Sequence, residues 1–323
     1  MDKQLNKAVI QGITGYLPDG VKPLEYFMKF LDISKEASYR RLRGEIAFSF
    51  DELVKLAQEL NFSIDNVLDE HSNDRIVVDL NTTINADVET GFINAIKENC
   101  GSLKQAEHSK QGELTALINR PDLFFLVRFE YLFKLYYYKW MLHTYSPIDR
   151  HFSDVVMTPA ILDAGFRFRA IENSLYRCSY IINRNLFEPI VREIYYLYSL
   201  NLISDEDLLL LKAELIRLLD DISILMQRGH SPSGCTFDFY LSILNVETNV
   251  AYASFNEESV SQYWFSSVNP VYIYHPDSCA MNKKWMEAMK KFTVLISQSN
   301  EALQAKFVKE QRAYIEQITH AIH

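Results

Sequence analysis

The chain has 323 residues, a formal net charge of -9 and 48% hydrophobic residues. That length exceeds the usual size of one domain, and 19 Tyr with 20 Phe supply bulky side chains for a core, so a disordered chain is excluded. Four scattered cysteines (Cys100, Cys178, Cys235, Cys279), without a C-x-x-C pair, predict reduced thiols and neither a disulfide framework nor a metal site.

The N-terminus "MDKQLNKAVIQGITGYL" lacks a basic leader followed by an apolar run, so no signal peptide is expected. The most apolar stretch, "PDLFFLVRFEYLFKLYYYKWML", is interrupted by Arg128, Glu130, Lys134 and Lys139, so no membrane span is expected and the protein reads as soluble and cytoplasmic.

In chain order, Leu5, Ala8, Val9 and Ile13 recur at helical spacing and predict a first helix, ended by "GYLPDGVKP". Pro23 suits the first position of a second helix with an apolar stripe of Leu24, Phe27, Met28 and Leu31. Asp32 follows as a turn residue tolerant of a left-handed backbone. Ser34 is expected to cap a third helix over Lys35 to Arg43, stopped by Gly44. Lys35, Glu36, Tyr39, Arg40 and Arg43 share one face of it, and Ser38 and Leu42 point the other way. A fourth helix starts after Ser49 with Leu53, Leu56, Ala57 and Leu60 inward. A short fifth, capped by Ser63, turns Ile64, Val67 and Leu68 inward.

The segment "LDISKEASYRRLRGE" and the following "FDELVKLAQELNFSIDNVL" resemble, in register, the turn and tail of the Cro and lambda-repressor type of helix-turn-helix domain, the xenobiotic response element family. The resemblance covers about residues 23–68. The chain departs from the family pattern at Met28 (usually Ala), at Asp32 (usually Gly) and at Ser38 (usually an apolar anchor), which leaves Ile33 and Leu42 to hold the inner face of the third helix. The resemblance implies sequence-specific transcriptional regulation on double-stranded DNA, with the third helix in the major groove. Lys35, Glu36 and Tyr39 then face base edges, Arg40 contacts guanine, and Ser34, Arg41 and Arg43 contact phosphates. It also implies a homodimer on a two-fold operator. Residues 1–70 carry nine Lys and Arg against twelve Asp and Glu, so the module as a whole is not basic. Charges more than about 8 Å from the contact are largely screened, and only the touching face matters. The alternative is a protein-interaction scaffold whose small helical domain docks partners without binding DNA.

A polar linker is expected at 71–84, around the Ile76-Val77-Val78 patch, before a domain spanning 85–323. There the pattern predicts helices over Asn85–His108, Pro121–Thr144, Pro159–Asn183, Leu186–Leu200, Asp205–Arg228, Asn282–Ser297 and Glu301–Ile322. The alternation in "CTFDFYLSILNVETNVAYASF" predicts a β-hairpin, with "PVYIYH" and "QYWFSSV" as further strands and "GELTALI" as a weaker one. The expected fold class is thus mainly α: an N-terminal five-helix lambda-repressor-like domain, and a larger α+β domain of many helices with a small antiparallel sheet. The aromatic series from Tyr131 to Trp140 is read first as helical core. As a small-molecule effector pocket it would use Tyr137 and Trp140, with Arg128 and Lys134 as anchors. Neither a phosphate loop nor a nucleophile elbow occurs, and His143, His151, Asp149 and Arg150 form only a weak acid/base candidate, so no enzyme and no cofactor are expected. The terminal helix "EALQAKFVKEQRAYIEQI" is a candidate dimer surface, and a protein effector is the other partner considered.

Overall fold

The computed structural model describes residues 3–17, 20–60, 87–103, 111–144, 150–172, 174–256, 258–264 and 270–318. The chain divides into two compact units, Met1–Val77 and Val78–His323. The predicted fifth helix and the predicted linker at 71–84 lie outside the described residues.

The first unit contains α1 (Lys3–Gly15), α2 (Pro23–Phe30), α3 (Lys35–Leu42) and α4 (Phe50–Leu60). Ile13, Phe27 and Leu56 are fully buried and pack with Val9, Ile10 and Phe48. The Phe27 and Phe48 rings meet edge to face at 5.3 Å, a favourable aromatic geometry. Pro23 opens α2 where its missing N–H costs nothing. Asp32 turns the chain at φ 52°, taking the left-handed conformation that glycine usually supplies.

The second unit is built on a seven-stranded mixed sheet in the order β6-β5-β4-β1-β2-β3-β7. Its strands are β1 (Glu113–Ile118), β2 (Arg177–Ile182), β3 (Thr236–Ser242), β4 (Val250–Phe255), β5 (Glu258–Trp264), β6 (Pro270–Ile273) and β7 (Thr293–Leu295). The central strands β1, β2 and β3 run parallel, which corrects the expected antiparallel sheet. Parallel neighbours need long crossovers, and helices supply them here. Between β1 and β2 lie α6 (Leu123–Leu126), α7 (Glu130–Thr144) and α8 (Pro159–Glu172); between β2 and β3 lie α9 (Glu188–Ser199) and α10 (Asp205–Arg228). Before β1 comes α5 (Val88–Leu103), and α11 (Pro276–Lys290) and α12 (Glu301–Glu316) complete the described helices.

The expected hairpin is also corrected. Both of its strands exist, but β3 pairs with β2 and β7 while β4 pairs with β1 and β5. The helix predicted over Pro159–Asn183 ends at Glu172 and is followed by β2. Five of the six β2 residues are buried, four of them apolar, so the strand lacks the polar–apolar alternation of a half-buried strand. The Pro121–Thr144 helix is two helices. The buried Glu214 carboxylate of α10 accepts the Leu132 N–H at 2.9 Å and so satisfies a first-turn donor of α7. The helix predicted over Asn282–Ser297 begins earlier, at Pro276, and gives way to β7.

Strand alternation sorts the two sheet faces. Leu114, Ala116, Cys178, Tyr180, Phe237 and Phe239 point into the main core with most of the helices. Tyr180, Phe237 and Phe239 stack there with centroids 5.7–6.2 Å apart. On the other face, Leu117, Ile181 and Val250 pack with Cys279 and Met286 of α11.

Candidate nucleic-acid interface

The candidate site is α3, and its local structure follows from the sequence. Ser34 caps its start, with Oγ accepting the Ala37 N–H at 3.2 Å. At its end, Gly44 (φ 72°) donates to the Arg41 carbonyl and Glu45 to the Arg40 carbonyl, both at 2.8 Å. These two bonds form a Schellman closure, which requires a left-handed residue at Gly44. The Asn6 side chain of α1 donates to the Gly44 carbonyl at 3.0 Å and ties this turn to the scaffold.

Ser38, at the place of an apolar anchor, is fully buried and donates from its hydroxyl to the Leu24 carbonyl of α2 at 3.3 Å. A small residue lets the two helices approach, and the hydrogen bond meets the polar cost of burial. Leu42 packs against the unit's core beside it. Ser38 itself therefore shares the anchoring that sequence reasoning left to Ile33 and Leu42.

Lys35, Glu36, Tyr39, Arg40 and Arg43 are all exposed. Tyr39 retains 40% of its surface, and the Arg43 guanidinium sits 5.7 Å from its ring centroid. Arg40 and Arg43 lie 3.5 and 3.8 Å from the two carboxylate oxygens of Glu45. With every partner about half exposed or more, these pairs are weak and open readily to a competing phosphate.

Arg41, expected at a phosphate, is placed differently from Arg40 and Arg43. Its side chain is only 14% exposed and grips both carboxylate oxygens of Glu52, at 2.7 and 3.3 Å. A two-point contact of this kind is strong and directional. Glu52 in turn accepts the Ser49 N–H at 2.8 Å, while Ser49 Oγ accepts the Glu52 N–H at 3.2 Å, a capping box at the start of α4. Burial alone would raise the Glu52 pKa, but the Ser49 N–H and the Arg41 guanidinium outweigh it and hold the carboxyl below the ordinary glutamate range. Glu52 and Glu45 are the residues that sequence reasoning missed. The S-x-x-E spacing of Ser49 and Glu52 was the available signal for the first.

In the second unit, the residues expected to line an effector pocket do not converge. Tyr137 and Trp140 are buried against Phe92 at 4.7 and 5.9 Å between centroids. Lys134 lies over the Phe152 ring at 4.5 Å, on the α7 face that also carries Tyr138, and burial lowers its pKa. Arg128 donates from Nε to the Phe124 carbonyl at 3.3 Å. The most buried cation of α7 is Lys139, held by Glu193, which also takes Arg120 at 2.6 Å. Asp149, in the weak acid/base candidate, lies outside the described residues. Among the described residues, no helix is long and apolar enough to cross a membrane.

Residues 25–116 match the BetR domain, a family of helix-turn-helix-like DNA-binding domains. The match begins in α2, takes in all of α3 and α4, and continues through α5 into β1 of the second unit. No curated protein and no solved structure matches the chain.

Proposed function

We propose that the protein is a sequence-specific DNA-binding transcriptional regulator that places α3 in the major groove. The observation that carries this reading is the exposed face of α3, where Lys35, Glu36, Tyr39, Arg40 and Arg43 stand together on a helix locked by Arg41 and Glu52. A rigid helix presenting adaptable polar tips is what base-edge readout requires. The BetR match over the same residues supports it.

In this reading Arg40 addresses a guanine, Lys35, Glu36 and Tyr39 address neighbouring base edges, and Ser34 and Arg43 reach phosphates. Arg41 acts from behind as a positioning residue. The protein works in the cytoplasm as a homodimer on two half-sites about 34 Å apart. Coupling two modest basic faces raises the effective concentration of the second contact and offsets the acidic balance of the chain. The larger unit serves dimerisation and effector sensing rather than catalysis.

A salt titration of duplex binding by fluorescence anisotropy tests the reading. Affinity must fall steeply as salt rises, because each phosphate contact releases counterions. Absence of duplex affinity, or salt-insensitive association with other proteins instead, favours a docking module.

A further inference from the structure

On the sheet face that carries α11, the side chains change character along the strands. One cross-strand row, Val250, Leu117 and Ile181, is apolar and sealed by α11. The next row is polar: Tyr252 lies opposite Thr115, Thr115 opposite Ser179, and Ser179 opposite Asp238. A cavity of about 270 Å³ opens over this row, walled by α11 and rimmed by Glu113 and Arg177.

Three features mark it as built for a ligand. Ser179 is 4% exposed, and neither its hydroxyl nor that of Thr115 hydrogen-bonds within the described residues. Neither hydroxyl is sealed from water, so both keep donor and acceptor capacity open to a solute in the cavity. Lys283 reaches over the Tyr252 ring at 5.7 Å but makes no ion pair among the described residues, whereas Lys290 is paired with Glu287 at 2.9 Å and Arg177 with Asp238 at 3.5 Å. Glu113, at the opposite rim, likewise has no ion pair there.

We infer that this cavity binds a small polyhydroxylated carboxylate, a compound of the sugar-acid class. Lys283 holds its carboxylate, Thr115 and Ser179 exchange hydrogen bonds with its hydroxyls, and Glu113 and Asp238 accept further hydroxyl donors. An apolar ligand would leave the floor hydroxyls unsatisfied. A phosphate dianion would meet Glu113 and Asp238 with only one unpaired cation to offset them. The inference is independent of DNA binding.

The test is calorimetric titration of the full chain with sodium gluconate, glucose, sodium acetate and glucose 6-phosphate as probes. Gluconate is expected to bind at least tenfold more tightly than each of the other three. Lys283→Gln, at an exposed position, should weaken gluconate at least tenfold, and Ser179→Ala about fivefold, with thermal melts confirming that both variants fold. No gluconate binding, gluconate binding unchanged in both variants, or tighter binding of glucose 6-phosphate would overturn the assignment. Duplex affinity measured on the same samples reports separately on α3.

Discussion

Arg41 of α3 and Glu52 of α4 meet through two hydrogen bonds, at 2.7 and 3.3 Å, with both side chains largely withdrawn from water. Glu52 is simultaneously the reciprocal partner of Ser49 in the α4 cap. One carboxylate thus fixes both the start of α4 and the orientation of α3. Removing either partner leaves the other charge half-buried and unpaired, so Arg41→Ala or Glu52→Ala should destabilise the first unit by about 1–3 kcal/mol. Urea denaturation of the two single variants and the double variant should show a coupling energy of about 1 kcal/mol or more. Additive losses would mean that the pair contributes nothing as a pair.

The same contact sets an acid limit. The Glu52 carboxyl has a depressed pKa in the folded state, so its stabilisation is fully present above the unfolded value of roughly 4.3. It is lost as pH falls through the still lower folded pKa. Stability of the Glu52→Gln variant should therefore fall less between pH 5 and the acid limit than that of the parent, as read by urea midpoints across that range. Parallel acid profiles would assign the acid sensitivity to other carboxylates.

Glu45 opposes DNA binding in the reading given above, because it holds Arg40 and Arg43 with one carboxylate. Glu45→Gln should tighten binding to all duplexes alike by severalfold, since it removes a like charge from the approaching phosphates. Arg40→Ala should cost about 1–3 kcal/mol on the preferred sequence and relax specificity. Arg43→Ala should weaken all sequences uniformly and flatten the salt dependence. Anisotropy titrations on matched and scrambled duplexes separate these outcomes.

Gly165 in α8 sets helix propensity against packing. Alanine there gains about 1 kcal/mol in a helix interior, but its Cβ would lie 2.6 Å from Cε1 of Phe133 on α7. Phe133 is buried and cannot swing aside, so overpacking at a cost of about 1–3 kcal/mol should win. Gly165→Ala should lower the melting temperature of the second unit, and Gly165→Ala with Phe133→Leu should recover part of the loss.

What the sequence disclosed depended on how local the physics is. The start of α3 at Lys35, its Ser34 cap and its closure at Gly44 could be read because caps act within one turn. The start of the Asp205–Arg228 helix was legible for the same reason, through the cap at Ser204. The pairing of β1 with β2 and of β2 with β3 was not, because it joins segments separated by whole helices. β2 was hidden further by its burial, which leaves Ser179 as the one polar residue from Cys178 to Ile182 and so removes the alternation. The committed state of Arg41 escaped notice because a charge beside two other arginines on a short helix gives no local sign that its partner waits eleven residues on. The polar row of Thr115 and Ser179 depends on strand register and was equally invisible.

The central claim is that α3 reads DNA. Selection of bound duplexes from a random pool by the full chain tests it most directly, with the Arg40→Ala variant run alongside. The account predicts enrichment of a two-fold consensus with half-sites about 34 Å apart, and loss of one preferred guanine per half-site in the variant. A pool that stays random with the parent chain, or the same consensus from both proteins, would contradict it.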